Sequence, residues 1–384
     1  MITLGIESSC DDTSLALVED GVRIIESLVS SQIEIHRRFG GVVPEVASRK
    51  HLEAINPMFD ELFEKSGKSI SDVSQVAVTA GPGLLGALLV GLSAAKAIAW
   101  KLKLPLIPVN HLEAHLSAAF LARIEPPTWP FLGLVVSGGH SNLVIVRGAR
   151  EFQNLGRTVD DAPGELFDKI ARHLDIGYPG GPAIQKVGEH GDPHRYALPR
   201  PMAGKGYGFS FSGLKTAVLR VVQQEKEQIN LPDLCASLQE AVGDTVIGKI
   251  EAALDEFRIG KLVIAGGVAA NAVLRKKASD MALKRGVELL IPPLSLCSDN
   301  SAMVAANGFF CASCYSRKKT PCTGLQKISD DDESTSIAQG TNPTFTTINS
   351  STSGDQGEIN SRGSSNNLDI NATAVWAMGQ ELPK

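Results

Sequence analysis

Read as a string of apolar and polar positions, the chain alternates between two textures. Short apolar or alternating runs, "ITLGIESSCDDTSLALVED" from Ile2, "VAVTAGPG" from Val76, "FLGLVVSGGHSNLVIVRG" from Phe131 and "KLVIAGGVAAN" from Lys261, have the period of strands. Each carries a small-residue turn inside it or directly after it. Between them lie longer segments with the 3.6-residue period, "LLGALLVGLSAAKAIAWKL" from Leu84, "LPDLCASLQEAVGDTVIGKIEAALDEF" from Leu231 and "AVLRKKASDMALKRG" from Ala272, which predict helices. Strands alternating with helices define the α/β class.

Two of the strand runs superimpose. Sliding Leu4 onto Leu132 aligns the first and third runs without gaps at an offset of 128 residues, with identities at Leu4/Leu132, Gly5/Gly133, Ser9/Ser137, Leu15/Leu143 and Val18/Val146. Each copy reads as a hairpin with a polar loop. A duplication predicts two similar lobes, each opening with strand-turn-strand, their small-residue loops facing across a cleft. The expected layout is a first lobe over 1–128, a second over 129–310 and a tail over 311–384. The tail is rich in Ser, Thr, Asn, Gly and Asp and too poor in apolar residues to order itself, so it reads as disordered.

Composition narrows the class. The chain of 384 residues has 43% hydrophobic and 21% charged residues, enough apolar content for two cores, and no uninterrupted apolar run of about 18 residues. Without a signal-like N-terminus, a cytosolic protein with no membrane association is expected. Six scattered cysteines lack the density of a disulfide scaffold, and "CASC" with Cys322 lacks a fourth zinc ligand at matching spacing. A net charge of −5 gives no global attraction to nucleic acid, so RNA contact would need a local patch such as Arg37, Arg38, Arg49 and Lys50, which reads equally as a solvated face.

Several loops have the chemistry to hold an anion. "ESSCDDTS" gathers hydroxyls around Asp11 and Asp12. "VSGGHS" offers Gly138 and Gly139, where backbone approaches a ligand without side-chain interference. "IAGGVAAN" puts Gly266, Gly267 and Asn271 at a strand-to-helix turn, and "GELFDKIARHLDIGYPGGP" puts Asp168 early in a helix ahead of Gly180-Gly181. No dinucleotide fingerprint and no P-loop lysine motif occurs.

The stretch "NHLEAHLSAAF" is the sharpest signal. Asn110 is a good N-cap and Glu113 falls at N3, so an amphipathic helix begins at His111. His111 and His115, four apart, share one face, the spacing of a bidentate metal site or of two interfacial polar residues. A zinc protease would need Glu directly after the first His. Here Leu112 stands there, and Glu113 is rotated about 200° from His111, away from the shared face. A third ligand must come from elsewhere, and Asp299 in "CSDN", opening the last helix, is the best donor.

Taken in order, "GIESSCDDTS", "GGVVPEVASRKH", "AGPGLLGALLVG", "NHLEAHLSA", "VSGGHS", "GELFDK", "YPGGP", "FSFSGLKTAV", "AGGVAAN" and "CSDN" closely resemble the universal tRNA N6-adenosine threonylcarbamoyltransferase family, bacterial or organellar type, from residue 1 to about 308. The resemblance implies an actin/Hsp70/sugar-kinase-like fold with two ribonuclease H-like lobes and a nucleotide cleft. It also implies transfer of threonylcarbamoyl from threonylcarbamoyl-AMP to N6 of the adenosine beside the anticodon, in tRNAs reading codons that begin with A. Carried over by position, it implies one divalent iron or zinc on His111, His115 and Asp299, and substrate contacts from Val136, Ser137, Gly138, Gly139, His140, Asp168, Gly181 and Asn271. Gln185 stands where the family often has an acidic residue. Expected partners are tRNA with either a paralogous dimerisation subunit and an ATPase, or a second copy in a homodimer. From the chemistry of the loops, Asp11 is nominated to orient or deprotonate the incoming amine. The family pattern breaks at "NGFFCASCYSRKKTPC", which predicts an incomplete last helix of the second lobe and leaves a non-catalytic nucleotide-binding scaffold as the alternative function, with a metalloprotease the remote one.

Overall fold

The computed structural model describes residues 1–121 and 128–317, with side chains as far as Ala312, together with Ala372 and Met378. Strands β1 (Ile2–Glu7), β2 (Asp12–Glu19) and β3 (Arg23–Ser31) form an antiparallel meander, and β4 (Val73–Gly81) and β5 (Leu106–Asn110) add in parallel beside β1, giving the order β3-β2-β1-β4-β5. The second sheet repeats this plan. Strands β6 (Phe131–Val136), β7 (Ser141–Gly148) and β8 (Glu151–Arg157) are the meander, and β9 (Lys261–Ala265) and β10 (Glu288–Leu290) are the parallel pair, in the order β10-β9-β6-β7-β8.

The repeat extends to register. Leu4 pairs with Leu17 and Ile6 with Leu15; Leu132 pairs with Ile145 and Leu134 with Leu143. The offset of the sequence match carries one ladder onto the other, because the hairpin loops have the same length and a one-residue slip would turn every core side chain to the wrong face. Both central strands are buried along their whole length, as strands covered by helices on two faces must be.

Helices fill the connections. Between β3 and β4 lie α1 (Ile33–Arg37) and α2 (Pro44–Ser66), and α3 (Leu85–Leu102) is the crossover from β4 to β5. Among the described residues α3 alone is long and apolar enough to span a bilayer, and it sets Ala87, Leu88, Leu92, Ala95 and Ala99 into the interior. Helix α4 (His111–Ser117) joins the two halves. In the second half, α5 (Pro163–His173), α6 (Gly180–Val187), α7 (Ser212–Glu225) and α8 (Leu231–Phe257) precede β9, α9 (Ala272–Arg285) links β9 to β10, and α10 (Ser301–Arg317) follows. The three helices expected from periodicity over Leu84–Leu102, Leu231–Phe257 and Ala272–Gly286 are thus α3, α8 and α9.

Three expectations change. Helix α4 is not amphipathic: all seven of its residues are buried, with Leu112 and Leu116 among Phe131, Val135, Val144 and Val263 of the second sheet, and Ala114 among Ala302, Val304 and Ala305. It is wedged between the halves of one compact unit. Helix α10 is regular rather than broken after residue 308, and it packs on the first sheet, its alanines against Ala16, Val18, Ala77, Ile107 and Val109. Small residues permit that approach: a Cβ on Gly5 would lie 2.2 Å from the Ser301 carbonyl oxygen, and one on Gly308 2.4 Å from Ala77 Cβ. The tail expected from residue 311 begins as the end of α10. Further on, Ala372 packs on the first core and Met378 is buried beside Leu116, Phe120 and Phe131, its carbonyl accepting from Asn154 Nδ2 at 3.2 Å. The rest of the expected disordered tail lies outside the described residues, as do Cys322 and the side chain of Cys314.

Candidate metal centre and substrate cleft

Asn110 leaves β5 in extended geometry and caps α4, its Oδ1 accepting from Leu112 N at 2.9 Å and Glu113 N at 3.3 Å. The helix therefore starts where the strand stops, and its one buried polar face carries His111 and His115. Asp299 meets that face from the turn before α10. Its Oδ1 lies 3.5 Å from His111 Nε2 and 3.2 Å from His115 Nε2, and the three ligand atoms fall within 4.8 Å of one another. Asn300 anchors this turn, its Oδ1 accepting from Met303 N and its Nδ2 donating to the carbonyls of Leu296 and Ser298. The regular start of α10 thus anchors the turn that carries Asp299.

The fully buried His115 has no partner on Nδ1, and its Nε2 faces only Asp299 Oδ1, at 3.2 Å. A buried imidazole with an orphaned nitrogen is costly unless something else takes the lone pair. Two imidazoles and a carboxylate converging on one point match the donor set of a divalent transition metal or zinc. Glu113 lines a separate small recess with Leu116, Ser117, Phe120, Asn307 and Phe310 and is not one of the three converging groups.

The residue behind the centre was not anticipated from the sequence. Glu7, at the end of β1 and fully buried, sets Oε2 3.1 Å from His111 Nδ1, while its oxygens accept from Ser9 N at 2.6 Å and Thr79 Oγ1 at 2.7 Å. An ionised carboxylate only accepts, so His111 carries its proton on Nδ1 and presents Nε2 toward Asp299. Burial would push His111 down, but the charges of Asp299 and Glu7 and the Glu7 hydrogen bond raise it to about 9. Burial also acts against Glu7 and Asp299, yet His111 beside both holds each carboxyl below its ordinary value. The one available signal was a glutamate closing an otherwise continuous apolar run.

The two hairpin loops come to the same place. Asp11 is pushed up by burial, opposed by a Cys10 hydrogen bond and reinforced by Asp299; Asp12 is raised to about 7 by burial, against a Ser31 hydrogen bond and with Asp11 and Asp299 adding. Buried His51 of α2 clamps this turn, Nδ1 2.7 Å from Thr13 Oγ1 and Nε2 3.0 Å from the Cys10 carbonyl. From the other lobe, His140 is depressed to about 4 by burial and by the charges of His111 and His115. Ser137 N donates to the His140 carbonyl at 2.9 Å, and the carbonyls of Ser137 and Gly138 accept from Gly164 N and Glu165 N at the start of α5. A Cβ on Gly138 or Gly139 would meet nothing within 4 Å, so the space beside them is open. Val136 ends β6 with its carbonyl so close to Gly266 that a Cβ there would sit 2.4 Å away.

The remaining expected contacts are engaged within the protein. Asp168 Oδ1 accepts from Gly180 N at 2.6 Å; its carboxyl is raised by burial, against that hydrogen bond and Arg172, with Asp11 contributing from across the cleft. Gly181 borders open space beyond Phe167. Asn271 caps α9, accepting from Leu274 N at 3.0 Å and donating to Gln239 Oε1 at 2.9 Å, while Gln185 Oε1 takes the adjacent Ala272 N–H at 2.8 Å. The neutral residue at 185 thus serves as a second cap for α9.

Two duplicated five-stranded lobes, with a His-His-Asp cluster at their junction, define an α/β protein of actin-like fold. Full-length HypF in its phosphate- and nucleotide-bound form shares this fold with a TM-score of 0.56 at 12% identity, over 83% of this chain and 47% of that one. HypF from T. kodakarensis gives 0.55 at 13% identity, over 82% and 48%. Residues 23–306 match the profile of the tRNA N6-adenosine threonylcarbamoyltransferase family, and the chain belongs to it. Relatives bearing that name include those of Dictyoglomus turgidum, 48% identical over 80% of this chain and 93% of theirs, and Pelobacter propionicus, 50% identical over 80% and 91%. Thermotoga neapolitana has another, 50% identical over 80% and 94%.

Proposed function

We propose that the protein forms N6-threonylcarbamoyladenosine, moving the threonylcarbamoyl group from threonylcarbamoyl-AMP to the adenosine beside the anticodon in tRNAs that read codons beginning with A. Family membership supports the reaction. The observation that carries the site assignment is the convergence of Asp11, His140 and Asp299, from both lobes, on the face of α4 that presents His111 and His115. In the reaction N6 attacks the carbamoyl carbon, the bond to the phosphate oxygen breaks, and AMP leaves with that electron pair while N6 gives up a proton.

The chain's own groups divide this work. The N–H groups of Gly138 and Gly139, beside open space, hold adenylate oxygens, and Asp168 with Gly181 borders the nucleotide. Asn271 reaches it only by exchanging its hydrogen bond to Gln239. Asp11, made more basic by burial, orients the amine and takes its proton. His111, His115 and Asp299 hold one divalent ion, iron or zinc, which when bound supplies positive charge against the developing charge of the leaving phosphate. Asp11→Asn tests the role: a loss of at least a hundredfold in transfer rate with adenylate binding unchanged is expected. A preserved rate would exclude Asp11.

A partner subunit of the same fold, paralogous or a second copy, with an ATPase in the paralogous case, is also proposed. Leu85, Leu89 and Trp100 of α3 and Leu52 of α2 stand 48–68% exposed, an apolar stripe on the first lobe that supports such a partner.

A further inference from the structure

The turn after α1 carries "RRFGG", whose aromatic ring stands outward. Phe39 is 59% exposed. A lone exposed apolar side chain is ordinary, but this one stands on a turn that is fixed from behind and has arginines before it in the chain and against the glycines after it. His36, fully buried, holds the turn: its Nε2 lies 3.1 Å from Gln32 Oε1, its Nδ1 accepts from Val43 N at 3.3 Å, and its carbonyl accepts from Phe39 N at 2.9 Å and Gly41 N at 3.3 Å. Gly40 adopts φ 67°, which lets the chain reverse directly after the ring. The backbone is therefore set before any ligand arrives.

The cations come from both lobes. Arg37 and Arg38 directly precede Phe39 in sequence, and Arg172 of α5 reaches across so closely that a Cβ on Gly40 or Gly41 would lie 3.2 Å from its guanidinium. Arg37 makes only an exposed pair with Glu34 at 2.9 Å, which is worth little in water. The turn also lies at the mouth of the cleft: His36 acts electrostatically on Asp11, and Arg172 acts on Asp168 and Tyr178. In a chain of net charge −5, Arg37 and Arg38 before the ring and Arg172 against the glycines after it are a local departure from the whole.

We infer that Phe39 is a stacking platform for an unpaired base of the RNA substrate next to the target adenosine, with Arg38 and Arg172 on its phosphates. This rests on the transferase reading above and adds a recognition element to it. Single-stranded RNA loops are read by stacking splayed bases on aromatic rings next to basic groups, the combination this turn offers. A protein partner would use the same aromatic and arginine chemistry, and the association-state arm of the test below separates it from RNA. With a base on the ring, the neighbouring adenosine is held out of its stack over the cleft.

The test measures binding of an unmodified tRNA and of its anticodon stem-loop to the metal-loaded protein, alongside transfer kinetics. Phe39→Ala should weaken RNA binding and raise KM for RNA about fivefold to a hundredfold, with adenylate binding and sedimentation unchanged. Phe39→Trp should restore both within about twofold, and its added fluorescence should fall when RNA binds. Arg38→Ala should lower the slope of log affinity against log salt by about one. RNA binding by Phe39→Ala within twofold of the parent would overturn the proposal, as would a change in association state with RNA binding intact, which would make the ring a protein contact. If the parent protein binds and modifies no RNA, the transferase reading falls and takes this one with it.

Discussion

Replacing Glu7 by glutamine exchanges one buried oxygen for an NH2 group at the point that sets the tautomer of His111. In the native protein Oε2, 3.1 Å from Nδ1, accepts its proton and leaves Nε2 as the nitrogen from which a metal would displace a proton. Ser9 N and Thr79 Oγ1 already donate to the two carboxylate oxygens at 2.6 and 2.7 Å, so a glutamine can keep only one of these bonds as an acceptor. If its NH2 turns to His111, donor faces donor, and the ring escapes by moving its proton to Nε2, where it blocks the metal. Loss of such an outer partner weakens metal binding about tenfold to a hundredfold, or about 1.4 to 2.7 kcal/mol. Competition of Zn2+ or Fe2+ against a chromophoric chelator measures this directly, with circular dichroism to confirm folding.

A pH series sharpens the same test. His111 is raised from 6.5 to about 9 in the metal-free protein, first against burial and then by Asp299 and Glu7. Its folded value lies above the ordinary one, so its contribution to stability is full below about pH 6.5 and is lost as pH rises through about 9. Metal must displace that proton, so apparent affinity should climb about tenfold per pH unit from 7 toward 9. In Glu7→Gln the climb should level off at lower pH, because one of the two carboxylates holding the proton is gone. Unchanged affinity and an unchanged pH profile would refute the role assigned to Glu7.

Gly5→Ala would drive a methyl group to 2.2 Å from the Ser301 carbonyl oxygen and 3.0 Å from Ala305 Cβ, prying the start of α10 from β1. A loss of about 1–3 kcal/mol in thermal or denaturant unfolding is expected, with weaker metal binding because Asp299 is carried on the same turn; unchanged values for both would show that α10 is not held there. Leu89→Arg puts a charge in the middle of the exposed stripe on α3. Sedimentation should show loss of the partner or of the homodimer, and an undiminished complex would remove that stripe as the interface.

Much of the centre was legible before any fold was known. The i, i+4 spacing of His111 and His115, the cap at Asn110 and the carboxylate of Asp299 are local features, and local chemistry survives folding because neighbours in sequence remain neighbours in space. The duplication was legible for a similar reason: equal hairpin lengths preserve register, and register preserves the apolar pattern. Periodicity reports that a face is buried but not what covers it. Helix α10 illustrates this: its alanines suit either sheet, and Gly5, Ala16, Ala77 and Gly308 together make room for it on the first.

What the sequence determined by itself was which side chains had unusual chemistry and which elements carried them. Tertiary structure decided their partners. Glu7 became the orienting group for His111, 104 positions away, because β1 ends where β5 gives way to α4. Asn271, expected as a substrate contact, also caps α9, and Gln185, noted only as a departure from an acidic family position, caps the same helix beside it. A hydrogen bond or a shared metal site depends on distances between elements distant in sequence, and such distances are set by the packing of whole sheets and helices, which no local pattern encodes.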